Sequence, residues 1–458
     1  MSRAREGRPM SKPASPIATS RPKCLDAAPR WSAASSTPLA RREFSATGRF
    51  RGSSATSMPD GPTWPTIRPR SAAISAACCS ARRTWTASSD RRGVDAMATT
   101  AEYGLGPLTF PRGWFMVAVA DEVTSTPQPV RFFGKEMVLY RGKGSGRVVL
   151  LDAYCPHMRV HLGRNTTSYV VKDGTHVEGD AIRCPAHGWR YTPEGKCDDI
   201  PYTTQPIPKA ACVKSHKVVE KAGCVWMWHD MEGGDPEFDL PDFAEWDMEG
   251  EGWVRWRLDH LGTLPIHPQE IVDNMADLAH FRPVHGSTEI IRFENGFHDH
   301  IITQRLCSGH RTLVGSDQAL VNDTWYTGPG ILLSRMEGQH PSVIMICNTP
   351  VEDGEVRVWY ALAVRVSDKA ADDAGVALAR AYQDTALEAF AQDFELWKYK
   401  EPAISILQVA GDGPFHKERI WHRQFYNPRE RAGEFQRRVN GVHVSLGAAK
   451  DFAAEAAE

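Results

Sequence analysis

Two short segments offer metal-binding chemistry: Cys155-Pro156-His157, and Cys184-Pro185-Ala186-His187-Gly188-Trp189. Each follows strand-like residues and presents one thiolate and one imidazole. A set of two Cys and two His can hold a tetrahedral structural zinc. It can also take an iron–sulfur cluster in which two thiolates bind one iron and two imidazoles the other, an exchange that raises the reduction potential. Gly188 would let the backbone approach such a group closely.

A second constellation lies within Ile271 to His285, where Asp273, Asp277 and His280 fall at i, i+4 and i+7. A continuous helix would carry them on one face. His285 is five residues beyond His280, a spacing that an ideal helix rotates away. Pro283 supplies a reason for the helix to end or kink, letting the two rings converge. Two imidazoles and one carboxylate form a facial triad that leaves positions on ferrous iron open to dioxygen and substrate. A polar helix face with an incidental histidine pair is the plain alternative. The carboxylate must come from far along the chain. Residues 372–400 read as a long helix with Ala386, Phe390, Asp393 and Trp397 on one face. Asp393 between Phe390 and Trp397 would be buried, and a buried charge needs a metal or an ionic partner. Glu388 and Glu395 point elsewhere.

The two cysteine–histidine pairs, with Gly188-Trp189 after the second, resemble the Rieske motif of ring-hydroxylating and steroid-hydroxylating oxygenases. The resemblance implies a [2Fe–2S] cluster on Cys155, His157, Cys184 and His187 rather than zinc. The segment from Asp273 to His285 resembles the family's acid-x3-Asp-x2-His-x4-His, which implies His280 and His285 as iron ligands. It also implies that Asp277 is the aspartate that bridges the iron of one subunit to a cluster histidine of its neighbour. Phe390-Ala391-Gln392-Asp393 is similar to the family's acidic ligand position, so Asp393 completes the expected iron site. Leu278-Ala279-His280-Phe281, Phe394-Glu395-Leu396-Trp397, Asp412-Gly413-Pro414 and Trp421-His422-Arg423-Gln424-Phe425-Tyr426 resemble the 3-ketosteroid 9α-hydroxylase oxygenases and cholesterol 7-desaturases. These matches span most of residues 111–430.

That group implies an α+β fold: an antiparallel β Rieske domain, then a helix-grip catalytic domain whose sheet wraps a long helix. It implies a homotrimer, dioxygen as co-substrate, and an apolar, steroid-like substrate that is hydroxylated or desaturated. Electrons would come from NADH through a separate flavin and iron–sulfur reductase, since the chain has no Gly-x-Gly-x-x-Gly fingerprint of its own. An aromatic acid or a small demethylation substrate is the alternative. A non-catalytic electron carrier is opposed by the second motif and the ~200 residues around it. One departure stands out: the gap from His157 to Cys184 is about ten residues longer than is usual in the family, a cheap change for a surface loop. The surplus is Thr166 to Asp180, where Asp173-Gly174 reads as the turn of a hairpin.

The elements that must position these groups are legible as pattern. Trp114 to Val119, Val130 to Phe133, Met137 to Tyr140 and Val148 to Leu151 alternate as strands between Gly- and Pro-bearing turns. The expected Rieske domain covers residues 97–235, ending in an acidic linker, Glu232 to Asp242. The catalytic domain covers 236–450, with strands at His300 to Arg305, Thr312 to Gly315, Val343 to Cys347 and Val356 to Val364. Glu352-Asp353-Gly354 marks a hairpin between the last two. Ile331, Leu332, Leu333, Ile344 and Ile346 are candidates for a pocket lining, though core packing explains them equally well. Residues 451–458 form a tail.

Composition narrows the class. A formal net charge of −2 and 41% hydrophobic residues fit a soluble globular protein and suggest no nucleic-acid partner. No run reaches the ~18 apolar residues of a membrane span. Ten scattered cysteines argue for metal ligation in a reducing, cytoplasmic compartment, with Cys197, Cys212, Cys224, Cys307 and Cys347 as core thiols. Residues 1–96 are rich in Arg, Ser, Ala and Pro, carry roughly +11 of formal charge and lack periodicity, so disorder is expected there. The reading adopted is that translation starts at Met97 and that this extension is not native. A transit peptide or a genuine disordered tail is the other reading. A chain begun at Met97 is therefore expected to match the full chain in melting temperature and turnover. A large loss in either would show that the extension works.

Overall fold

The computed structural model describes residues 97–310, 320–337, 340–409 and 411–446. The expected extension at 1–96, the strand at Thr312 to Gly315 and the tail at 451–458 lie outside the described residues.

The N-terminal strands are β1 (Gly113–Val119), β2 (Gln128–Phe132), β3 (Lys135–Arg141), β4 (Val148–Asp152), β5 (Val177–Glu178), β6 (Ala181–Arg183), β7 (Arg190–Tyr191), β8 (Cys197–Asp199), β9 (Val218–Lys221) and β10 (Cys224–His229). They pair antiparallel in three small sheets, ordered β1-β10-β9, β2-β3-β4 and β5-β6-β7-β8. The cysteine–histidine segments occupy the turns after β4 and between β6 and β7. The second turn joins two paired strands and the first is closed by a bridge between Tyr154 and His161, which limits their freedom as a metal centre needs.

The inserted loop differs from expectation. It holds a single helical turn, α1 (Tyr169–Lys172), in place of a hairpin, and Gly174 follows at φ +73°. Asp173-Gly174 thus ends a helix, because the same left-handed glycine that suits a hairpin also closes a helical turn. His176 anchors the loop by a hydrogen bond between Nε2 and the Leu162 carbonyl, 2.7 Å.

The second half contributes β11 (Trp253–Val254), β12 (Leu258–Leu264), β13 (Ser287–His298), β14 (Ile301–His310), β15 (Leu320–Thr327), β16 (Ile331–Glu337), β17 (Ser342–Glu352), β18 (Glu355–Arg365) and β19 (Gly441–Leu446). They form one antiparallel sheet in the order β11-β18-β17-β16-β15-β14-β13-β19, with β12 also on β18. The helices are α2 (Gln269–Val272), α3 (Asp373–Lys398), α4 (Phe415–Arg423) and α5 (Ala432–Val439). The Asp353-Gly354 hairpin forms as read, pairing Glu352 with Glu355.

Strand periodicity gives the large sheet two different faces. Ile331, Leu333, Val343, Met345, Trp359 and Ala361 face the N-terminal strands and share one core with Trp114, Phe115, Trp226 and Trp228. Leu332, Ile344, Ile346, Val358 and Tyr360 face the other way, against Ala379, Ala386, Phe390 and Trp397 of α3. Of the five candidate pocket residues, Ile331 and Leu333 therefore follow the core-packing reading, because a one-residue step reverses a strand side chain. Gln383 ties α3 to the sheet, its Nε2 donating to the Leu362 carbonyl at 2.6 Å. Among the expected core thiols, Cys224 and Cys347 are buried, Cys197 and Cys307 are half-buried, and Cys212 is exposed on an irregular segment.

A buried histidine makes a stability prediction. His229 stacks on Phe133, with centroids 3.8 Å apart, and its Nδ1–H donates to the Pro111 carbonyl at 2.9 Å. Burial lowers its pKa to about 4. The ring stays neutral in the folded chain but takes a proton near its ordinary value of ~6.5 when unfolded. Between those pH values the unfolded state binds more protons, so stability falls as pH drops through that window. Urea midpoints measured between pH 7.5 and 4.5 should fall, and His229→Gln, which can still donate to Pro111, should flatten the fall.

Candidate metal centres

The first centre is built from two matching turns. The Cys155 amide donates to the Val160 carbonyl at 3.0 Å, and the Cys184 amide to the Trp189 carbonyl at 2.8 Å, closing each loop on itself. Gly188 adopts φ +73°, and a Cβ there would lie 3.1 Å from Pro201 Cγ, so glycine suits both the turn and its neighbour. Both cysteines are about 1% exposed, whereas His157 and His187 are exposed. The imidazole rings lie 4.7 Å apart between centroids, at 72°.

The Cys184 thiol, the Tyr191 hydroxyl at 3.0 Å and the His157 amide lower the Cys155 thiol below its ordinary value against the opposing effect of burial. A tetrahedral zinc would hold all four donor atoms within roughly 4 Å of one another. Among the described residues, the group of three or more donors gathered within 4.8 Å is a different one, His280, His285 and Asp393. Sulfur beside sulfur and imidazole beside imidazole, without convergence on one point, fits two irons and a [2Fe–2S] group.

The second centre departs from a continuous helix. α2 gives way to a 3-10 turn at Asp273–Met275 and, after a break, to another at Ala279–Phe281. The Asp277 carboxylate causes the break: its Oδ1 accepts from the Ala279 and His280 amides, at 3.1 and 3.3 Å. Asp277 therefore caps the second turn, as aspartate does at helix starts. Gly413 makes room on the other side; a Cβ there would fall 1.7 Å from the Ala276 carbonyl oxygen. Asp273 turns away into an ion pair with Arg419, at 3.0 and 2.5 Å.

His280 Nδ1–H donates to the Asp277 carbonyl at 2.7 Å, which leaves Nε2 as the basic nitrogen of the neutral ring. Burial disfavours a charged His280, but the Asp277 and Asp393 carboxylates outweigh it and raise the pKa. His285 Nε2 lies 3.2 Å from Asp393 Oδ2, and the two histidine rings are 5.1 Å apart at 79°. Asp393 is 6% exposed on α3, while Glu388 and Glu395 are exposed. With its amide turned to satisfy both ends, Gln392 donates to the Val284 carbonyl at 3.0 Å, latching the His285 turn to α3. The expected trio thus comes together from positions more than a hundred residues apart, and its donor set suits a ferrous ion with open positions.

Residues 113–217 match the Rieske [2Fe-2S] domain family and residues 227–426 the 3-ketosteroid 9α-hydroxylase C-terminal domain family. A 3-ketosteroid-9-alpha-monooxygenase oxygenase component of Rhodococcus rhodochrous is 32% identical over 335 residues, covering 70% of this chain and 82% of that protein. The chain belongs to the 3-ketosteroid 9α-monooxygenase oxygenase family. This oxygenase is also 38% identical, over 185 residues, to the cholesterol 7-desaturase of Hemicentrotus pulcherrimus, covering 40% of this chain and 37% of that one. The fold matches the Pseudomonas putida CBB5 NdmA QL mutant solved with theobromine, at 18% identity and a TM-score of 0.53, covering 75% of this chain and 97% of that one. The oxygenase is thus an oxidoreductase that uses a Rieske cluster, a mononuclear iron and dioxygen, and as an oxygenase component it draws electrons from a separate reductase.

Sequence reasoning missed three supports of these centres. Tyr191 approaches Cys155, Trp189 stacks on His157 at 4.6 Å and 7°, and Gln392 latches α3. Adjacency to a motif was the signal for Trp189 and Gln392; nothing marked Tyr191. Replacing His280, His285 or Asp393 by alanine in the oxygenase should abolish mononuclear iron binding and leave the Rieske absorption intact. Asp277→Asn is the finer test, because asparagine still caps a turn but carries no charge. It should keep both metals while turnover falls roughly 10- to 100-fold. Native turnover in that variant would remove Asp277 from the electron route.

Proposed function

We propose that this oxygenase hydroxylates or desaturates a neutral, steroid-like substrate, with iron on His280, His285 and Asp393 and the cluster on Cys155, His157, Cys184 and His187. The observation that carries the substrate class is the chemistry of the sheet face opposite α3. The β14 to β17 registers place Ile302, Gln304, Leu306, Asn322, Thr324, Leu332, Ser334, Met336, Ser342, Ile344 and Ile346 on it, all uncharged. An aromatic acid would need a cation to offset the burial of its carboxylate, and those positions supply none. The steroid names of the relatives point the same way.

Bound iron supplies the activation of dioxygen; the residues supply the setting. Asp393 brings one negative charge, and the Asp277 carbonyl fixes the His280 tautomer. Phe281 packs against both histidine rings, at 4.3 and 5.8 Å between centroids. Hydroxylation consumes one dioxygen, two electrons and two protons and releases one water. Desaturation consumes the same and releases two waters. The electrons come from NADH through a flavin and iron–sulfur reductase. Three copies assemble in a ring, and Asp277, half-buried, links iron to the exposed histidine edge of a neighbour's cluster. Among the described residues no cysteine is in a disulfide, which suits a cytoplasmic setting. No described helix is long and apolar enough to cross a membrane.

Purified oxygenase with a surrogate reductase and NADH, offered sterols, ketosteroids and aromatic acids, should yield oxidised products from the first two groups only, detected by mass spectrometry. Turnover confined to aromatic acids would overturn the proposal.

A further inference from the structure

We propose that Pro201-Tyr202 is a positioning brace for the two cluster imidazoles, acting on His187 through Gly188 and on His157 through Trp189. The inference rests on the cluster assignment above and concerns how the histidine end of that cluster is held. The two ends of the donor set are supported differently. Both cysteines are buried at about 1% exposure, with Tyr191 beside Cys155, so the surrounding core fixes the sulfurs. His157 and His187 are exposed, and so are Met158, Arg159 and Ala186 around them. Within one copy, the core therefore constrains the imidazole planes less than it does the sulfurs, and contacts outside the core bear on how the rings are held.

Two consecutive contacts from one segment meet that need. The Pro201 ring closes on Gly188, the residue after His187: a Cβ at Gly188 would sit 3.1 Å from Pro201 Cγ and 3.8 Å from its Cδ. The Trp189 indole lies parallel to the His157 ring at 7°, with centroids 4.6 Å apart. Its Nε1–H donates to Tyr202 Oη at 2.7 Å, at the short end for such a bond. Trp189 is half-buried, packed on one side against the core, and this hydrogen bond from the exposed Tyr202 is the directional contact on its indole. Proline supplies a stiff surface at fixed φ, and tyrosine supplies a directional acceptor on a side chain with few rotamers. One dipeptide thus touches the supports of both imidazoles, and the 72° angle between them is set from outside the core.

The test uses the full chain with its cluster assembled, reduced and examined by pulsed electron paramagnetic resonance, which resolves the two histidine nitrogen couplings. Tyr202→Phe keeps the ring and removes the acceptor. It should bind iron and sulfide as the native chain does, yet change one of the two couplings. It should also shift the cluster's reduction constant at least threefold, which is about 28 mV for a one-electron couple. The double variant Tyr202→Phe/Trp189→Phe should equal Trp189→Phe alone, since Tyr202 acts through Trp189. Pro201→Gly should perturb the other coupling and spare the first, which keeps the brace testable should Trp189→Phe shed its cluster. Native couplings and potential in both Tyr202→Phe and Pro201→Gly would overturn the brace, as would additive effects in the double variant. Absence of a Rieske signal from the native chain would instead overturn the cluster assignment.

Discussion

A carboxylate held among aromatic side chains is costly to bury unless a partner neutralises it, and Asp393 is such a group. It sits 6% exposed on the face of α3 that also carries Phe390 and Trp397. Removing the charge would suit the packing and destroy the chemistry. The fold keeps it by bringing two imidazoles to it, His285 at 3.2 Å with His280 alongside. Much of the second half serves that meeting. The sheet gives α3 an apolar bed, Gln383 and Gln392 pin it to a strand on one side and to the His285 turn on the other, and Gly413 lets the segment before α4 close against Ala276. A buried charge that is stable only with its partners makes the iron site a condition of the local packing as well as a product of it.

The donors themselves were legible because their chemistry limits the alternatives. Few arrangements explain two cysteine–histidine turns in strand-rich sequence, and an acid at the centre of an aromatic helix face demands a counter-charge. Geometry beyond the donors was less legible. The spacing of Asp273, Asp277 and His280 suggested a continuous helix because i, i+4 and i+7 are neighbours on one. The chain breaks instead, since a side chain able to cap a turn competes with the helix it sits in. Asp273 is buried against Arg419, a partner 146 residues away that no local pattern announces. Ile331 and Leu333 are core, and they were readable either as pocket lining or as core for a simpler reason. An apolar run in a strand buried on both sides has no alternation from which to read direction.

The two centres also share a polarity that bears on how electrons travel. In the cluster turns the sulfurs are interior and the imidazoles are at the surface, so charge can leave or enter through the histidine end with little protein in the way. At the iron site the most exposed of these groups is Asp277, joined to His280 through the His280 Nδ1–H and the Asp277 carbonyl. Asp277 uses one carboxylate oxygen to hold its own turn and keeps the other 3.6 Å from His280 Nδ1. A residue whose fold-supporting bonds are made by one oxygen can offer the second to a group arriving from outside without unfolding the turn. That division of labour separates the structural need for a capping residue, which asparagine or serine would also meet, from the need for a negative charge beside an iron ligand. Only the second need distinguishes aspartate from other capping residues at this position, and it arises from the ligand that Asp277 touches.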